Sequence, residues 1–236
     1  MNESTQQLYP QAIAYADAET RQTFFRKTYS HLAFAIMAFV FVEYFLLQSP
    51  FAIKLASVMT RGFTWLLVLG AFMLISHLAN RWALNATSRR TQYIGLGVYI
   101  LAEAIIFLPI LLYANAFAPE TISTAFMLTM LLFAGLTYTA FTSGVDFSFL
   151  GGFLKIGFFI AIGIILASFI FGFSLGLIFS GAMILFASAA ILYSTSNVMR
   201  HYHAEQYVAA SLSLFAAVAL LFWYILQFLL QMASGD

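Results

Sequence analysis

The chain has 236 residues, of which 63% are hydrophobic and 8% are charged, and its formal net charge is +1. A soluble domain of this size needs far more polar surface, so the composition excludes a soluble globular protein and indicates a polytopic membrane protein. The near-neutral charge gives no basis for nucleic-acid binding. With no cysteine, the chain has no disulfide framework, thiolate metal site or cysteine nucleophile.

The N-terminal segment is polar and lacks the early apolar core of a cleavable signal peptide. We predict a polar cytoplasmic tail over residues 1–29 and a transmembrane domain over residues 30–236. The charged side chains of the predicted tail are Glu3, Asp17, Glu19, Arg21, Arg26 and Lys27.

Seven stretches reach the roughly 20 mostly apolar residues that a transmembrane helix requires. They lie near 30–48, 63–80, 93–114, 123–143, 152–172, 174–197 and 207–233. Because backbone groups in lipid must be satisfied within the segment, and because the runs are continuous rather than alternating, we predict helices and not a β-barrel.

Two connections between these spans have distinct patterns. Residues 49–62 are apolar but interrupted by Pro50, Lys54 and Arg61, and we interpret them as an interfacial loop. The fifth and sixth spans are separated by "FGFS" (171–174), which predicts a tight antiparallel hairpin.

The distribution of lysine and arginine predicts the orientation of the bundle. Eight of these side chains fall on the side of the N-terminus, and Lys54 and Arg61 fall on the other. The predicted fold is therefore an all-α bundle of seven transmembrane helices with the N-terminus inside and the C-terminus outside. A retinal protein is disfavoured, because residues 207–233 contain no lysine.

Ionisable side chains within a span are candidate functional groups, because placing a charge in hydrocarbon is costly. Glu103 lies deepest, in "YILAEAIIFLP". It is interpreted either as a buried proton- or cation-binding carboxyl or as a structural acid that hydrogen-bonds a neighbouring helix. Glu43 and His77 are further candidates for such a buried ion or proton site, with an interfacial position as the alternative for each.

Small and polar residues recur on one face of each of the last two spans. They predict close helix packing with a few interhelical hydrogen bonds, and a lined cavity is the alternative. The residues are Ser180, Ala187, Ala190 and Ser194 on the sixth span and Ser213, Ala217, Tyr224 and Gln227 on the seventh.

No catalytic residue, metal site or cofactor is predicted. The Ser-Gly pairs in "FTSGV" and "IFSGA" have no histidine deep in a later span to act as a base, and no H-E-x-x-H pattern is present. His201 and His203, with Glu205, form at most a weak surface metal site, and a solvated polar loop is the alternative.

Two segments, "GVDFSFLGGFL" (144–154) and "AILYSTSNVM" (190–199), resemble the Bax inhibitor family, also called TMBIM, and its bacterial YccA branch in particular. Asp146 and Ser148 are suitable N-cap residues for the fifth helix, and Gly151–Gly152 would let that helix approach a neighbour. Three further segments extend the resemblance over nearly the whole chain. They are "FFRKTYSHLAFAI" (24–36), "ILAEAIIFLPIL" (100–111) and "AEQYVAASLSLFAAVALLFW" (204–223). The resemblance implies a seven-helix bundle with the last helix central.

The resemblance also has a bearing on function. Family members with calcium-leak activity carry one carboxylate on each of the sixth and seventh helices. Their positions fall here on Ser194 and Ala217, so the acid pair is missing and its pH-sensing mechanism is not carried over. The YccA branch implies a non-catalytic protein of the bacterial inner membrane that associates with an FtsH-type AAA protease and its regulators. A calcium or proton leak remains the alternative.

Overall fold

The computed structural model describes residues 12–85 and 88–235 of the protein. Within these ranges the chain forms eight α-helices and three short 3-10 helices. The α-helices are α1 (Ala18–Leu47), α2 (Pro50–Met59), α3 (Thr64–Ala83), α4 (Arg89–Phe117), α5 (Glu120–Thr142), α6 (Leu150–Phe171), α7 (Gly176–Arg200) and α8 (Tyr207–Ser234). All of them except α2 are long and apolar enough to cross a membrane, which confirms the predicted seven-helix architecture.

Helix α1 begins well before the predicted span. Asp17 is its N-cap, because its carboxylate accepts a hydrogen bond of 2.9 Å from the backbone N–H of Thr20. Residues 18–29 of the predicted tail are therefore helical. Just upstream, Ile13 is fully buried, and its N–H donates to the carbonyl of Tyr202 at 2.7 Å. The remainder of the predicted tail, residues 1–11, lies outside the described residues.

The prediction of a loop over residues 49–62 was wrong, because most of this segment is the short helix α2. Ser49 caps its first turn, and Pro50 occupies the first helical position, where a missing N–H costs nothing. Ala52 and Ala56 share one face by the helical period and pack against Leu108 of α4. A proline that interrupts an apolar pattern is therefore a helix start here.

The predicted hairpin between the fifth and sixth spans is confirmed. Helix α6 ends at Phe171, and Gly172 follows it with a φ of 71°. This left-handed conformation is readily adopted by glycine, and the Gly172 N–H closes the helix by donating to the Ser168 carbonyl at 2.9 Å.

Helix α8 is the centre of the bundle, as the resemblance implied. In its most apolar 18-residue stretch 78% of the residues are buried, compared with 11% in that of α6. Helices α1, α4, α5 and α7 pack around α8, whereas α6 lies outside, against α7. A helix that is apolar on all sides can occupy either position, because lipid and protein core are both apolar.

Contacts made by cationic side chains link several segments at one end of the bundle. Arg89 pairs with Glu205, and Lys27 lies over the ring of Tyr207 at 5.1 Å. Arg200 likewise lies 3.7 Å from Asp146. The start of α1, the α3–α4 connection and the loops that precede α6 and α8 therefore share one end, called here the cation-rich end. Its cytoplasmic location remains a prediction.

Candidate functional site

The two segments that carry the resemblance, 144–154 and 190–199, meet at the cation-rich end. Asp146 accepts a hydrogen bond from the hydroxyl of Ser196 on α7 at 2.9 Å. The same hydroxyl accepts from the backbone N–H of Phe147 at 3.0 Å, and Arg200 donates to the carbonyl of Gly144 at 3.2 Å. These contacts fix the loop before α6 onto the end of α7.

The electrostatics of this junction favour an ionised Asp146. The backbone N–H of Ser148 contributes most, and the Ser148 and Ser196 side chains and Arg200 add to it, so that the pKa of Asp146 falls to about 2. Hydrogen bonds donated to a carboxylate favour its charged form. Asp146 is therefore a negative charge at neutral pH that orients the loop.

The predicted roles of the neighbouring motif residues are corrected in part. Asp146 caps the 3-10 helix Phe147–Phe149 that precedes α6, and Ser148 lies inside that helix instead of capping α6. A Cβ on Gly151 would lie 2.9 Å from the ring of Tyr193, so this glycine does permit a close approach to α7. A Cβ on Gly152 would meet no atom of the described residues beyond its own helix within 4 Å, so this glycine contributes no such contact.

A polar hollow of about 450 Å³ lies beside the junction. Tyr202 is one of its lining residues, and its partial burial raises the pKa of its hydroxyl. The hollow is open and shallow, and its walls come from both motif segments and the α7–α8 connection. The lining residues are Ser148, Tyr193, Asn197, His201, Tyr202 and Gln206.

The contact between α7 and α8 is neutral at Ser194 and Ala217, the two positions where the resemblance puts acids. The Ser213 hydroxyl on α8 donates to that of Ser194 on α7, with 3.2 Å between the oxygens. Ala217 is buried one turn beyond Ser213, and because the helices are antiparallel it lies about one turn from Ser194. Farther along, the Ser180 hydroxyl lies 2.8 Å from the side-chain oxygen of Gln231. The predicted small-residue packing with interhelical hydrogen bonds is therefore confirmed.

Glu103 lies in the core of the bundle on α4 and is 5% exposed. The hydroxyl of Tyr99, one turn earlier on the same face of α4, is close enough to the carboxyl of Glu103 to influence it. Glu103 therefore has a polar neighbour on its own helix and is not a member of the Ser194–Ser213 contact between α7 and α8. The interpretation of Glu103 as a structural acid bonded to a neighbouring helix stays a prediction, because Tyr99 lies on the same helix.

Glu43 lies in a different part of the bundle, near the end of α1. It is 4% exposed, and neither of its carboxylate oxygens has a hydrogen-bond partner among the described residues. Glu43 lines a cavity together with Leu111 of α4. Leu111 follows Glu103 on that helix, and at a rise of 1.5 Å per residue the two are about 12 Å apart along its axis. The two acids therefore do not form a pair.

His77 is exposed on α3, so its prediction as part of a buried site is corrected. Helix α3 turns Ala79 and Ala83 toward the core, and His77 lies on another face. Over residues 12–85 and 88–235, no group of three or more His, Cys, Asp and Glu side chains is placed to hold a metal ion. His201 and His203 lie at the α7–α8 connection, where His201 follows the last turn of α7.

Comparison with known proteins identifies the family of this chain. The family model described as "Inhibitor of apoptosis-promoting Bax1" matches residues 21–234. An uncharacterized protein of Pseudomonas aeruginosa is 32% identical over 233 residues, which are 98% of this chain and 99% of that protein. The chain belongs to the Bax inhibitor family.

Similarity within the Bax inhibitor family extends to eukaryotes. Bax inhibitor 1 of Schizosaccharomyces pombe is 28% identical over 230 residues, covering 95% of this chain and 82% of the yeast protein. Protein lifeguard 4 of Mus musculus is 25% identical over 232 residues, covering 94% of this chain and 90% of the mouse protein. This chain is thus a multi-pass membrane protein of the family with a bacterial relative that it matches from end to end.

Sequence reasoning missed two residues of the junction in this Bax inhibitor family protein. Ser196 and Arg200 are four residues apart and therefore share a face of α7. That spacing was a usable signal, but it does not say which loop the face contacts. Asp146, 50 residues before Ser196, completes the site only through the tertiary fold.

Proposed function

We propose that this Bax inhibitor family protein is a non-catalytic modulator of membrane-protein quality control in the bacterial inner membrane, and that it binds an FtsH-type protease complex. The observation that carries the proposal is the uncharged Ser194–Ser213 contact at the centre of the bundle. A gate that opens on ionisation needs an ionisable group there. Its replacement by two hydroxyls favours a role in binding over proton-controlled conduction.

The cation-rich end supports a binding role, because its loops are held in fixed positions. Asp146 and Arg200 join the loop before α6 to α7, and Arg89 joins the start of α4 to the Glu205 region. Ile13 is buried and hydrogen-bonded to the carbonyl of Tyr202, so the chain at Ala12 and Ile13 is fixed at this end. A protease complex could engage that segment and the loops around it together.

The test is co-purification of the FtsH-type protease with the full-length protein from solubilised membranes. The structure defines the truncation: only residues 2–11 are removed, because Ile13 is buried and α1 begins at Ala18. Replacement of residues 2–11 by a Gly/Ser segment of equal length is the matched control for spacing. We expect the full chain to retain the protease and both variants to lose most of it.

Two outcomes would contradict this proposal. If the protease does not co-purify with the full chain, the binding function is wrong. If both variants retain it as well as the full chain does, the N-terminal segment is not the contact.

A second candidate function is a calcium or proton leak, which the buried carboxyls of Glu43 and Glu103 favour. Purified protein in liposomes would then carry an ion flux that falls on Glu43→Gln or Glu103→Gln. His77→Gln is the control, because His77 is exposed. A flux equal to that of empty vesicles across the pH range would exclude the leak.

A further inference from the structure

A cavity of about 450 Å³ lies between α1, α5 and α8, in the half of the bundle that contains the α4–α5 connection. Its size is within the range of about 300–1,000 Å³ for small-molecule pockets. The walls are mostly aliphatic and aromatic, with Phe39 from α1, Phe126 from α5 and Phe215 and Phe222 from α8. We call it the Glu43 cavity, after the acid in its wall.

The Glu43 cavity opens sideways, between α1 and α5. Each of these helices is packed against α8, and they contact one another where the ring of Phe25 meets that of Phe141 at 5.6 Å, near the other end of α1. Val40, Tyr44 and Phe126 line the cavity and are also exposed at the protein surface. Since α1 and α5 are membrane-spanning helices, this opening faces lipid, and a ligand enters from the bilayer.

The carboxyl of Glu43 is the polar group that distinguishes this cavity from an ordinary gap between helices. Within the described residues it is the one charged side chain that lines the cavity, and its two oxygens are buried without partners. The nearby hydroxyls do not serve it. Ser123 donates to the carbonyl of Glu120 at 3.0 Å, and Thr129 donates to that of Ala125 at 2.7 Å.

An unsatisfied buried carboxyl is costly, so the cavity favours a ligand that brings a hydrogen-bond donor. A charged donor suits a carboxylate best, because a charge-assisted hydrogen bond is stronger than a neutral one. The apolar walls require a hydrocarbon chain on the same ligand. A phospholipid headgroup fits poorly, since it would bring a phosphate to a lining that offers no cation among its described residues. A calcium ion also fits poorly, because it needs about six or more oxygen ligands and the lining is mostly aliphatic and aromatic.

We propose that the Glu43 cavity binds a long-chain primary amine, with the ammonium group on the Glu43 carboxylate and the hydrocarbon chain along the phenylalanine walls. The ligand is taken from the membrane through the opening between α1 and α5. This binding is separate from association with a protease, which the cation-rich end would mediate at the opposite end of α1.

The experiment uses the full-length protein in phosphatidylcholine nanodiscs and a photoreactive long-chain primary amine as the probe. After irradiation, labelled peptides are identified by mass spectrometry. We expect labels on α1, α5 and α8 around the cavity, competed by dodecylamine but not by dodecanol or dodecanoate. Glu43→Gln, which preserves the shape of the side chain, should weaken labelling by about tenfold.

Glu103→Gln is the matched control, because it removes a buried acid that does not line the cavity. It should label as the wild type does. Glu43→Asp retains a carboxylate and should recover part of the signal, and this separates loss of the charge from loss of the fold. Size-exclusion profiles of all variants check their integrity.

Three results would overturn the proposal. Equal labelling of the wild type and Glu43→Gln would mean that the hydrocarbon chain of the probe enters the Glu43 cavity without recognition of its amine. Competition by dodecanol as strong as that by dodecylamine would mean the same. Labels spread along the outer surface of α6, with none around the cavity, would show that the probe reports lipid contact alone.

Discussion

The hydroxyl of Ser213 on α8 lies 3.2 Å from that of Ser194 on α7 and donates a hydrogen bond to it. This contact occupies the place where the resemblance to the Bax inhibitor family puts one member of an acid pair. The other member would replace Ala217, which is buried about one helical turn away. The centre of the bundle is therefore held by neutral groups, and its packing does not depend on protonation at these two positions.

Restoring the acid pair should make stability depend on pH. In Ser194→Asp/Ala217→Asp, two buried carboxyls would lie on adjacent turns, protonated at low pH and repelling one another as they ionise. We expect the unfolding midpoint of the double variant, measured in detergent relative to the wild type, to fall by roughly 5 °C as the pH rises from 5 to 8. Each single variant should show a smaller fall. Parallel curves for the wild type and the double variant would contradict the inferred geometry.

The hydrogen bond between Ser180 and Gln231 should contribute measurably to the α7–α8 contact. The Ser180 hydroxyl is fully buried and lies 2.8 Å from the Gln231 side-chain oxygen. Ser180→Ala should lower the free energy of unfolding by about 1 kcal/mol, the usual scale for an interhelical hydrogen bond in a membrane. Ser188→Ala is the matched control on the same helix, since Ser188 donates to the Ile184 carbonyl of α7 itself. Equal losses in the two variants would show that the link between helices adds nothing.

Gly95 should be intolerant of a side chain, because it is where α3 and α4 approach each other. A Cβ there would lie 2.5 Å from the carbonyl oxygen of Ala79 and 2.7 Å from the backbone N of Ala83. Backbone atoms cannot move aside cheaply, so Gly95→Ala should destabilise the protein by about 1–3 kcal/mol. Thermal unfolding in detergent measures this effect.

The control for Gly95→Ala is Gly97→Ala in the same helix. In the part of the chain that the structure describes, a Cβ on Gly97 would meet no atom beyond its own helix within 4 Å. Because alanine favours helix over glycine by about 1 kcal/mol, this variant should be neutral or slightly stabilised. If both variants behave alike, the close approach of α3 to α4 is wrong.

Asp146 should stabilise the junction at neutral pH but not in strong acid. The native pKa of about 2 lies below the ordinary value of 3.8, so its contribution is fully present above pH 3.8 and is lost as the pH falls toward 2. Asp146→Asn should therefore unfold a few degrees below the wild type at pH 7, and the two curves should converge near pH 2. Glu120→Gln, an exposed acid at the start of α5, should follow the wild type throughout. A gap that persists at pH 2 would assign the effect to the shape of the side chain.

The structure explains why the buried acids could be located in the sequence but not interpreted from it. Glu43 and Glu103 are both single acids within apolar runs, and the sequence treats them alike. In the fold, Glu103 has Tyr99 one turn away on its own helix, whereas Glu43 has no hydrogen-bond partner among the described residues and borders a cavity. The surroundings of the two acids differ because α5 and α8, which lie far from Glu43 in the sequence, form walls of the cavity beside it. For His77, the exposure on α3 disagrees with a buried site and agrees with the alternative of an interfacial position.

The sequence by itself determined the seven spans and the tight turn at Gly172, and it showed the neutral residues Ser194 and Ala217 at the positions where the resemblance puts two acids. These features depend on the length of an apolar run or on groups within a few residues of one another, and hydrophobic burial and capping act at that range. Only the tertiary structure decided that Ser194 meets Ser213, that Asp146 meets Ser196, and that a cavity forms beside Glu43. Lipid and protein core are equally apolar, so hydrophobicity does not tell a membrane helix which face to turn inward. That choice is made by packing between segments that are remote in the chain.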